Sequence, residues 1–540
     1  MSHPEKRLLI YLFFLALGLR LYVFYFTPVI GTDCYLHYSL ARNFIEGQYH
    51  NITHPPLFHL FVASFSLVTG EYVIAGKTVA LLFGVFAIFP LYFFTRSLFG
   101  HNAGIIAALL LAVNPTHVRL SGDIMRDTTH VFFFITSIYL TWLAVERRTW
   151  YYYALLGFSV SLDLLSRAEG GMLLLCIITP WLLFTNGEAL KKRFLEKVFF
   201  LSIFLAPFLI FASIYLLTPL DNHYISSHIY RLRDIAREQS HPEMQVPTVA
   251  SKERTPDSFK IYTWGEEKKY HIIFLYILNE LAKAIFLPYL PLFLIGFFRF
   301  SVPDSKRESP SSFARRILSF LSILRLRLAA VEIRKEYFIL SLAASYLILM
   351  FCSSLAFYVA SGRYLLALVV LSLIWAGKGG EIVAEKLAKK MPRMAKTAMD
   401  PSLALLLLMA VIVLVSLPKD LKVKRRHEIS QKLAGYWIKD HFPKRAKIMG
   451  RVWEEGHKVA LYAQGDFMNL NLKWRYSTLR SHARKNKPDF LVFYRENIPS
   501  LLYSKIEKDG DFAFIKEWTN MDREDKNERH LRLYRFIPER

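Results

Sequence analysis

The sequence predicts a mainly α-helical, polytopic membrane protein that ends in a small α/β domain. Three observations carry this. Hydrophobic residues fill 53% of the 540 positions, and the mean hydropathy is positive, too apolar for an ordinary water-soluble chain of this size. The apolar residues gather in runs long enough to cross a bilayer, and basic residues cluster in the loops between them. From residue 419 onward the apolar runs shorten and mix with charge.

A bilayer-spanning helix needs about 20 mostly apolar residues. That ruler places spans near 8–26, 74–95, 103–117, 129–145, 151–165, 170–185, 198–218, 271–298, 336–358, 364–376 and 402–417. The count is eleven, or twelve to thirteen if further short segments cross. One such segment, 56–70, follows Pro55-Pro56 and is only about 15 residues long, so it reads as a re-entrant or interfacial helix. The short basic N-terminus and the lack of a small-residue cleavage site predict a retained first span.

Charge sets the parity. Lys6 and Arg7 precede the first span, which places the N-terminus in the cytoplasm. The cytoplasmic loops then hold Arg96, Arg147-Arg148, Lys191-Lys192-Arg193, the basic stretch 299–335 and the basic stretch 378–398. The first outer loop, 27–55, carries Arg42 as its sole Lys or Arg. Two longer outer regions follow. Loop 219–270 is polar and reads as a cap, a lid or a disordered segment. The tail 419–540 combines apolar runs at Lys458–Ala463 and Asp489–Tyr494 with charged helical stretches, and reads as a soluble extracytoplasmic α/β domain behind a transmembrane domain of residues 1–418.

The net charge of +24 is accounted for by these basic loops, and no nucleic-acid-binding module accompanies it. Cys34, Cys176 and Cys352 are the only cysteines, and the last two fall inside apolar runs, so no disulfide framework is implied.

Ionisable residues at the membrane edge are costly and are candidates for function. Four clusters fall on the outer side. Asp33, in Gly31-Thr32-Asp33-Cys34, follows the first span; it is placed to act as a general base or metal ligand, or simply to cap a helix over 34–46. His54, in Thr53-His54-Pro55-Pro56, is aimed by the proline pair and could meet phosphate or metal, while the prolines equally suit helix initiation. Asp123, Arg126 and Asp127 lie in the second outer loop; the two acids would share a face if helical, and a local Arg126–Asp pair is the plainer reading. Arg167 and Glu169 join the fifth and sixth spans, and Arg363-Tyr364 opens the tenth. A guanidinium there suits an anionic ligand, or snorkels to headgroups. Arg20, late in the first span, reads as snorkelling or internally paired.

The order of these clusters resembles the GT-C superfamily of glycosyltransferases: an acid after the first span, His-Pro-Pro-Leu some twenty residues on, an Arg-acid pair in the second outer loop, and a late Arg-Tyr-Leu-Leu. Within it the chain looks most like the branch holding the protein O-mannosyltransferases and the lipid A aminoarabinose transferase. The resemblance covers about 1–185 and 336–376. It implies a GT-C fold, a sugar donor on a polyprenyl phosphate, and inverting transfer on the outer face of the cell membrane to a protein, lipid or glycan. It puts Asp33 at the place of the acid that activates the acceptor. It puts His54, Arg363 and Tyr364 near the donor phosphate, with His37 one residue off its place, and Asp127 with Arg126 at the second acidic position, beside Asp123. Asp33 and Asp127 would hold a divalent cation if one is used. Relatives often carry Asp-Glu at the first site, and here it is Asp33-Cys34. The other class considered is a transporter or channel with an outer-face site, against which the one-sided charges speak; a membrane scaffold or receptor without catalysis is a third.

Overall fold

The computed structural model describes residues 3–31, 33–48, 54–171, 173–174, 198–207, 209–210, 213, 270–300, 331–357, 362–390, 400–442, 444–452, 454–472, 474–521 and 528–537. The polar loop 219–270 lies outside these, apart from its last residue, as does most of the expected span 170–185. Among the described residues five helices are long and apolar enough to cross a membrane, and a bent pair makes a sixth.

The first helix, α1 (His3–Phe26), ends where Pro28 removes a backbone donor and restrains the residue before it. After α2 (Cys34–Ile45) comes α3 (Leu57–Thr69), closed by Gly70 in the left-handed conformation at φ 70°. Thirteen residues reach only about 20 Å, short of the apolar core of a bilayer. The second long segment is continuous over α4 (Tyr72–Phe86) and α5 (Ile88–Phe99).

The expected span 103–117 is divided. Helix α6 (His101–Ala112) stops, and Pro115 opens the short α7 (Pro115–Leu120) with Asn114 as cap, its Oδ1 accepting from the His117 amide at 3.0 Å. Helix α6 is apolar all round and buried accordingly. Then follow α8 (Asp127–Arg147) and α9 (Trp150–Ser166). The expected span 271–298 also differs: α10 (Tyr270–Ile285) and α11 (Leu290–Phe300) meet at a bend of 88°, next to Pro288. Helix α12 (Val331–Phe357) precedes α13 (Leu366–Lys390), which runs well past the expected 364–376, and α14 (Pro401–Asp420). Helices α11 and α13 cross closely at Gly296 and Gly379, where an added Cβ would strike the backbone of Trp375 and Leu292.

Ion pairs tie the helix ends together by side. Glu5, at the start of α1, meets Arg96 at 3.3 Å, so the N-terminus and the end of α5 share one side. Arg20 is fully buried rather than snorkelling. It donates to the carbonyls of Ala16 and Ala112 (3.1 and 3.0 Å) and to Ser121 Oγ (3.2 Å), and lies 2.8 Å from His117 Nδ1.

Past Asp420 the chain forms α15 (Ile429–His441), β1 (Lys447–Gly450), α16 (Glu455–Tyr462), β2 (Asp466–Asn469), α17 (Tyr476–Asn486), β3 (Phe490–Tyr494), α18 (Ser500–Lys508), β4 (Phe512–Met521) and β5 (Glu528–Phe536). The sheet order is β2-β1-β3-β5-β4, with β1 parallel to β2 and β3, and β5 antiparallel to β3 and β4. Strand β3 alternates by twos: Phe490, Val492 and Tyr494 pack on one face, Leu491 and Phe493 on the other. Of the two apolar runs read in the tail, Asp489–Tyr494 supplies β3, whereas Lys458–Ala463 lies in and just after helix α16.

Candidate functional site

Asp33 stands just before α2. Its carbonyl accepts the amides of Leu36 and His37, but its carboxylate makes no capping bond. The carboxylate instead accepts from Arg363 Nη1 at 2.7 Å. Helix capping is therefore not the work of this side chain.

Arg363 lies in the turn 362–365 that opens α13. Burial alone would lower the pKa of its guanidinium, but Asp127 and Asp33 together raise it. Its Nη1 also faces Met125 Sδ at 3.6 Å. The next residue, Tyr364, lies under the guanidinium of Arg167, 5.0 Å from the ring centre. Arg167 follows α9 and gathers two acids: its Nη1 donates to Asp127 Oδ1, and its Nη2 and Nε donate to Glu169 at 2.7 and 3.2 Å. Burial would push the Glu169 carboxyl up, yet Arg167 holds it well below the usual carboxylate range. The starts of α2, α8 and α13 and the end of α9 thus converge at one place. Four chain-distant segments supply Asp33, Asp127, Arg167 with Glu169, and Arg363 with Tyr364.

Asp123 and Asp127 do not share a helix face. Asp127 opens α8, whereas Asp123 lies in the preceding turn and points to Arg425, whose Nη1 donates to both its oxygens at 2.9 and 3.0 Å. Burial would raise the Asp123 carboxyl, but Arg425 and its hydrogen bond bring it below its ordinary value. Arg126 occupies the position before α8.

His37, on α2, is buried. Its Nδ1 lies 2.9 Å from Nε2 of His59, and its ring meets those of Phe58 and His54 edge-on at 5.4 and 6.4 Å. Burial first, then the neighbouring His59 and Arg126, hold His37 well below the ordinary histidine pKa, so the ring is neutral at pH 7. His54, just before Pro55-Pro56, is half-buried beside this pair.

Among the described residues no group of three or more His, Cys, Asp or Glu side chains is placed to hold a metal ion. Asp33 and Asp127, the expected ligands, are each engaged by a guanidinium, a setting that does not fit a divalent cation.

Four residues in and around the site carry no assignment from the sequence: His59, His130, Asp163 and Arg425. His59 is a polar residue within the apolar segment 56–70, and the cost of burying it was the available signal. The buried pair of His130 Nδ1 and Asp163 Oδ1, at 2.8 Å, joins α8 to α9; both residues fall inside predicted spans, where the same signal applied. Arg425 belongs to the basic run Lys424-Arg425-Arg426, which carries no mark of a buried partner.

A model of the dolichyl-phosphate-mannose-protein mannosyltransferase family matches residues 53–215. The structure superposes on ArnT from Cupriavidus metallidurans in the apo state with TM-score 0.59 and 13% identity, covering 98% of each chain. ArnT bound to undecaprenyl phosphate gives 0.58 and 13%, over 97% of each. The oligosaccharyltransferase of Archaeoglobus fulgidus gives 0.54 and 14%, over 91% of this chain and 70% of that one. No curated protein matches the chain in sequence. The chain has the GT-C fold of these proteins, as the resemblance implied, and its apolar helices make it a multi-pass membrane protein. The likenesses are to glycosyltransferases, and none supports a transporter.

Proposed function

We propose that the chain is a membrane glycosyltransferase that moves a sugar from a polyprenyl phosphate to a hydroxyl or amine of a protein, lipid or glycan, with inversion, on the outer face of the membrane. The observation that carries the reading is the 2.7 Å pair of Asp33 and Arg363, two residues from opposite ends of the membrane domain, brought to one site that also holds Arg167 and Tyr364. The binding of undecaprenyl phosphate by ArnT supports a donor of that class.

The residues divide the work by charge. Arg363 meets the donor phosphate in fork geometry and stabilises the negative charge that grows on it as the sugar leaves. His54 and His37 line the same approach, and Tyr364 fixes Arg167 beside it. A phosphate that takes Arg363 releases Asp33 from its partner. Asp33 then accepts the proton of the acceptor O–H or N–H while the acceptor atom bonds to the anomeric carbon. The bond from that carbon to the phosphate oxygen breaks, and polyprenyl phosphate departs. Asp127 and Glu169 hold Arg167 in place. One base and no covalent sugar intermediate give inversion.

The orientation is supported by the basic loops at residues 96 and 147–148, which the positive-inside rule favours on the cytoplasmic side, and by the Glu5–Arg96 pair, which sets the start of α1 on the same side as Arg96. On that reading the site lies on the outer side, together with the C-terminal domain, whose Tyr462, Asp466 and Phe467 bond to Ile30, Arg42 and Tyr35.

The test is direct. Purified protein in nanodiscs is given a panel of labelled polyprenyl-phosphate sugars and an extract of acceptors. Transfer of label from at least one donor, absent with nucleotide sugars, is expected. Label moving only from nucleotide sugars would sink the reading.

A further inference from the structure

The turn that carries Asp33 is held from the outer domain. Three consecutive residues before it each give up a backbone group. The Val29 carbonyl accepts from Arg425 Nη1 at 3.3 Å, the Ile30 amide donates to Tyr462 Oη at 3.0 Å, and the Gly31 amide donates to Asp123 Oδ1 at 3.3 Å. Arg425 Nη1 also binds both oxygens of Asp123, so a single guanidinium closes the ring Val29–Gly31–Asp123–Arg425. The fit leaves no slack: a Cβ on Gly31 would lie 3.4 Å from Arg425 Nη2 and 3.3 Å from Met125 Cε. Met125 in turn touches Arg363, the partner of Asp33. Arg425 itself has a left-handed backbone, φ 59°, a strained conformation for a non-glycine residue. Its three side-chain hydrogen bonds, to Val29 and to both oxygens of Asp123, offset that strain.

We infer that Arg425, acting through Asp123, is a positioning residue for sugar transfer: it fixes the turn 29–31 and thereby the place of Asp33. The inference rests on the reading of Asp33 as the base. It removes Asp123 from the candidates for acceptor or metal binding, because both its oxygens serve the strut. The outer domain has other holds on α2, from Phe467 N–H to Tyr35 Oη at 2.8 Å and from Arg42 to Asp466 at 2.7 Å. Loss of Arg425 therefore loosens the turn without undocking the domain.

The experiment compares Arg425→Met, Arg425→Lys, Asp123→Asn and the Arg425→Met/Asp123→Asn pair in nanodiscs, reading transfer kinetics and amide exchange. Misplacement of a reacting group by about 1 Å costs on the order of a hundredfold, so kcat should fall about 10- to 100-fold in Arg425→Met with the donor KM changed less than about threefold. Lys should recover part of the loss, and the double variant should be no worse than the worse single one, since both act through one contact. Amide exchange should quicken across 29–36 and stay unchanged in α16. Wild-type kcat in Arg425→Met, or exchange unchanged across 29–36, overturns the proposal. Asp33→Asn measured in parallel separates the two claims. Loss of transfer there with normal rates in Arg425→Met overturns the strut alone. Retained transfer in Asp33→Asn overturns the base and the strut's catalytic role with it, whatever the exchange shows.

Discussion

Arg363 donates to Asp33 at 2.7 Å across a sequence separation of 330 residues. Each side chain is only partly exposed, 20% and 25%. The pair occupies the hydrogen-bonding sites that each residue would offer a substrate, and a donor phosphate is the group that would draw Arg363 off.

The first prediction follows from that exchange of partners. Arg363→Ala should lower kcat for transfer by about 10²–10³-fold, the range for removing one preorganised donor to developing charge. Arg363→Lys should regain only part, since an ammonium lacks the fork. Equal donor dependence in the wild type and both variants, measured as transfer against donor concentration, would reduce Arg363 to a headgroup anchor.

The cluster around Arg167 predicts a stability effect. Its guanidinium neutralises Asp127 and Glu169, and the side chains of Arg167 and Asp127 are almost fully buried. Arg167→Met leaves two acids without their cation, and breaking a buried pair costs about 3–5 kcal/mol. The detergent-solubilised variant should melt well below wild type. Adding Asp127→Asn to Arg167→Met should restore part of the loss. If the double variant melts lower still, the pair is not the source of the stability.

Orientation is tested by labelling intact cells. Gly510→Cys, in an exposed turn of the outer domain, should react with a membrane-impermeant maleimide above the background of the native cysteines. Glu146→Cys, exposed at the far end of α8, should not. Reaction at 146 but not at 510 would invert the topology.

How much of this was legible beforehand depended on whether a residue's partner was near or far. The apolar segments announced α1, α4 with α5, α8, α13 and α14, because lipid demands a long apolar run whatever surrounds it. Breaks inside such runs were less visible: Pro115 does end α6, but hydropathy alone reads across it. Asp33, Asp127, Arg167 and Arg363 were each singled out from their place at the membrane edge. That Asp33 meets Arg363, and Asp123 meets Arg425, could not be read, since ion pairs across 330 and 302 residues leave no local pattern. Asp123 and Asp127 would share a face only on one helix, and that condition is not met, because the helix starts at Asp127, after the turn that aims Asp123 at Arg425.

The C-terminal domain carries its own pH signature. Glu455 is fully buried at the start of α16, and neither carboxylate oxygen has a hydrogen-bond partner among the described residues. Burial, with Glu454 nearby, pushes it up to about 8. The unfolded chain has an ordinary glutamate, so between about pH 4.5 and 8 the folded state holds a proton that the unfolded state has lost. Stability of the domain should therefore fall as pH rises through that window. Glu455→Gln, which cannot ionise, should raise the melting temperature at pH 8 and change it little at pH 4.5. An equal shift at both pH values would mean the effect is packing, not titration.

The last prediction concerns Asp33 itself. It lies at the position before α2, where an acid is often a cap, yet its carboxylate makes no capping bond and turns to Arg363. Asn caps about as well as Asp, so a structural role would tolerate Asp33→Asn. The amide also still accepts a hydrogen bond from Arg363, which keeps the turn and the guanidinium in place. What it cannot do is take a proton at neutral pH. Asp33→Asn should therefore insert, accumulate and bind donor as the wild type does, while transfer falls by about 10²–10⁴-fold, the contribution typical of a general base. Sugar transfer per unit of folded protein in nanodiscs, alongside donor binding, decides it. If transfer stays near normal, Asp33 is not the base, and Asp127, the other acid that acts on Arg363, becomes the one to examine, since both oxygens of Asp123 are taken by Arg425. If donor binding falls with transfer, the carboxylate was needed to orient Arg363, and its role is electrostatic rather than proton transfer.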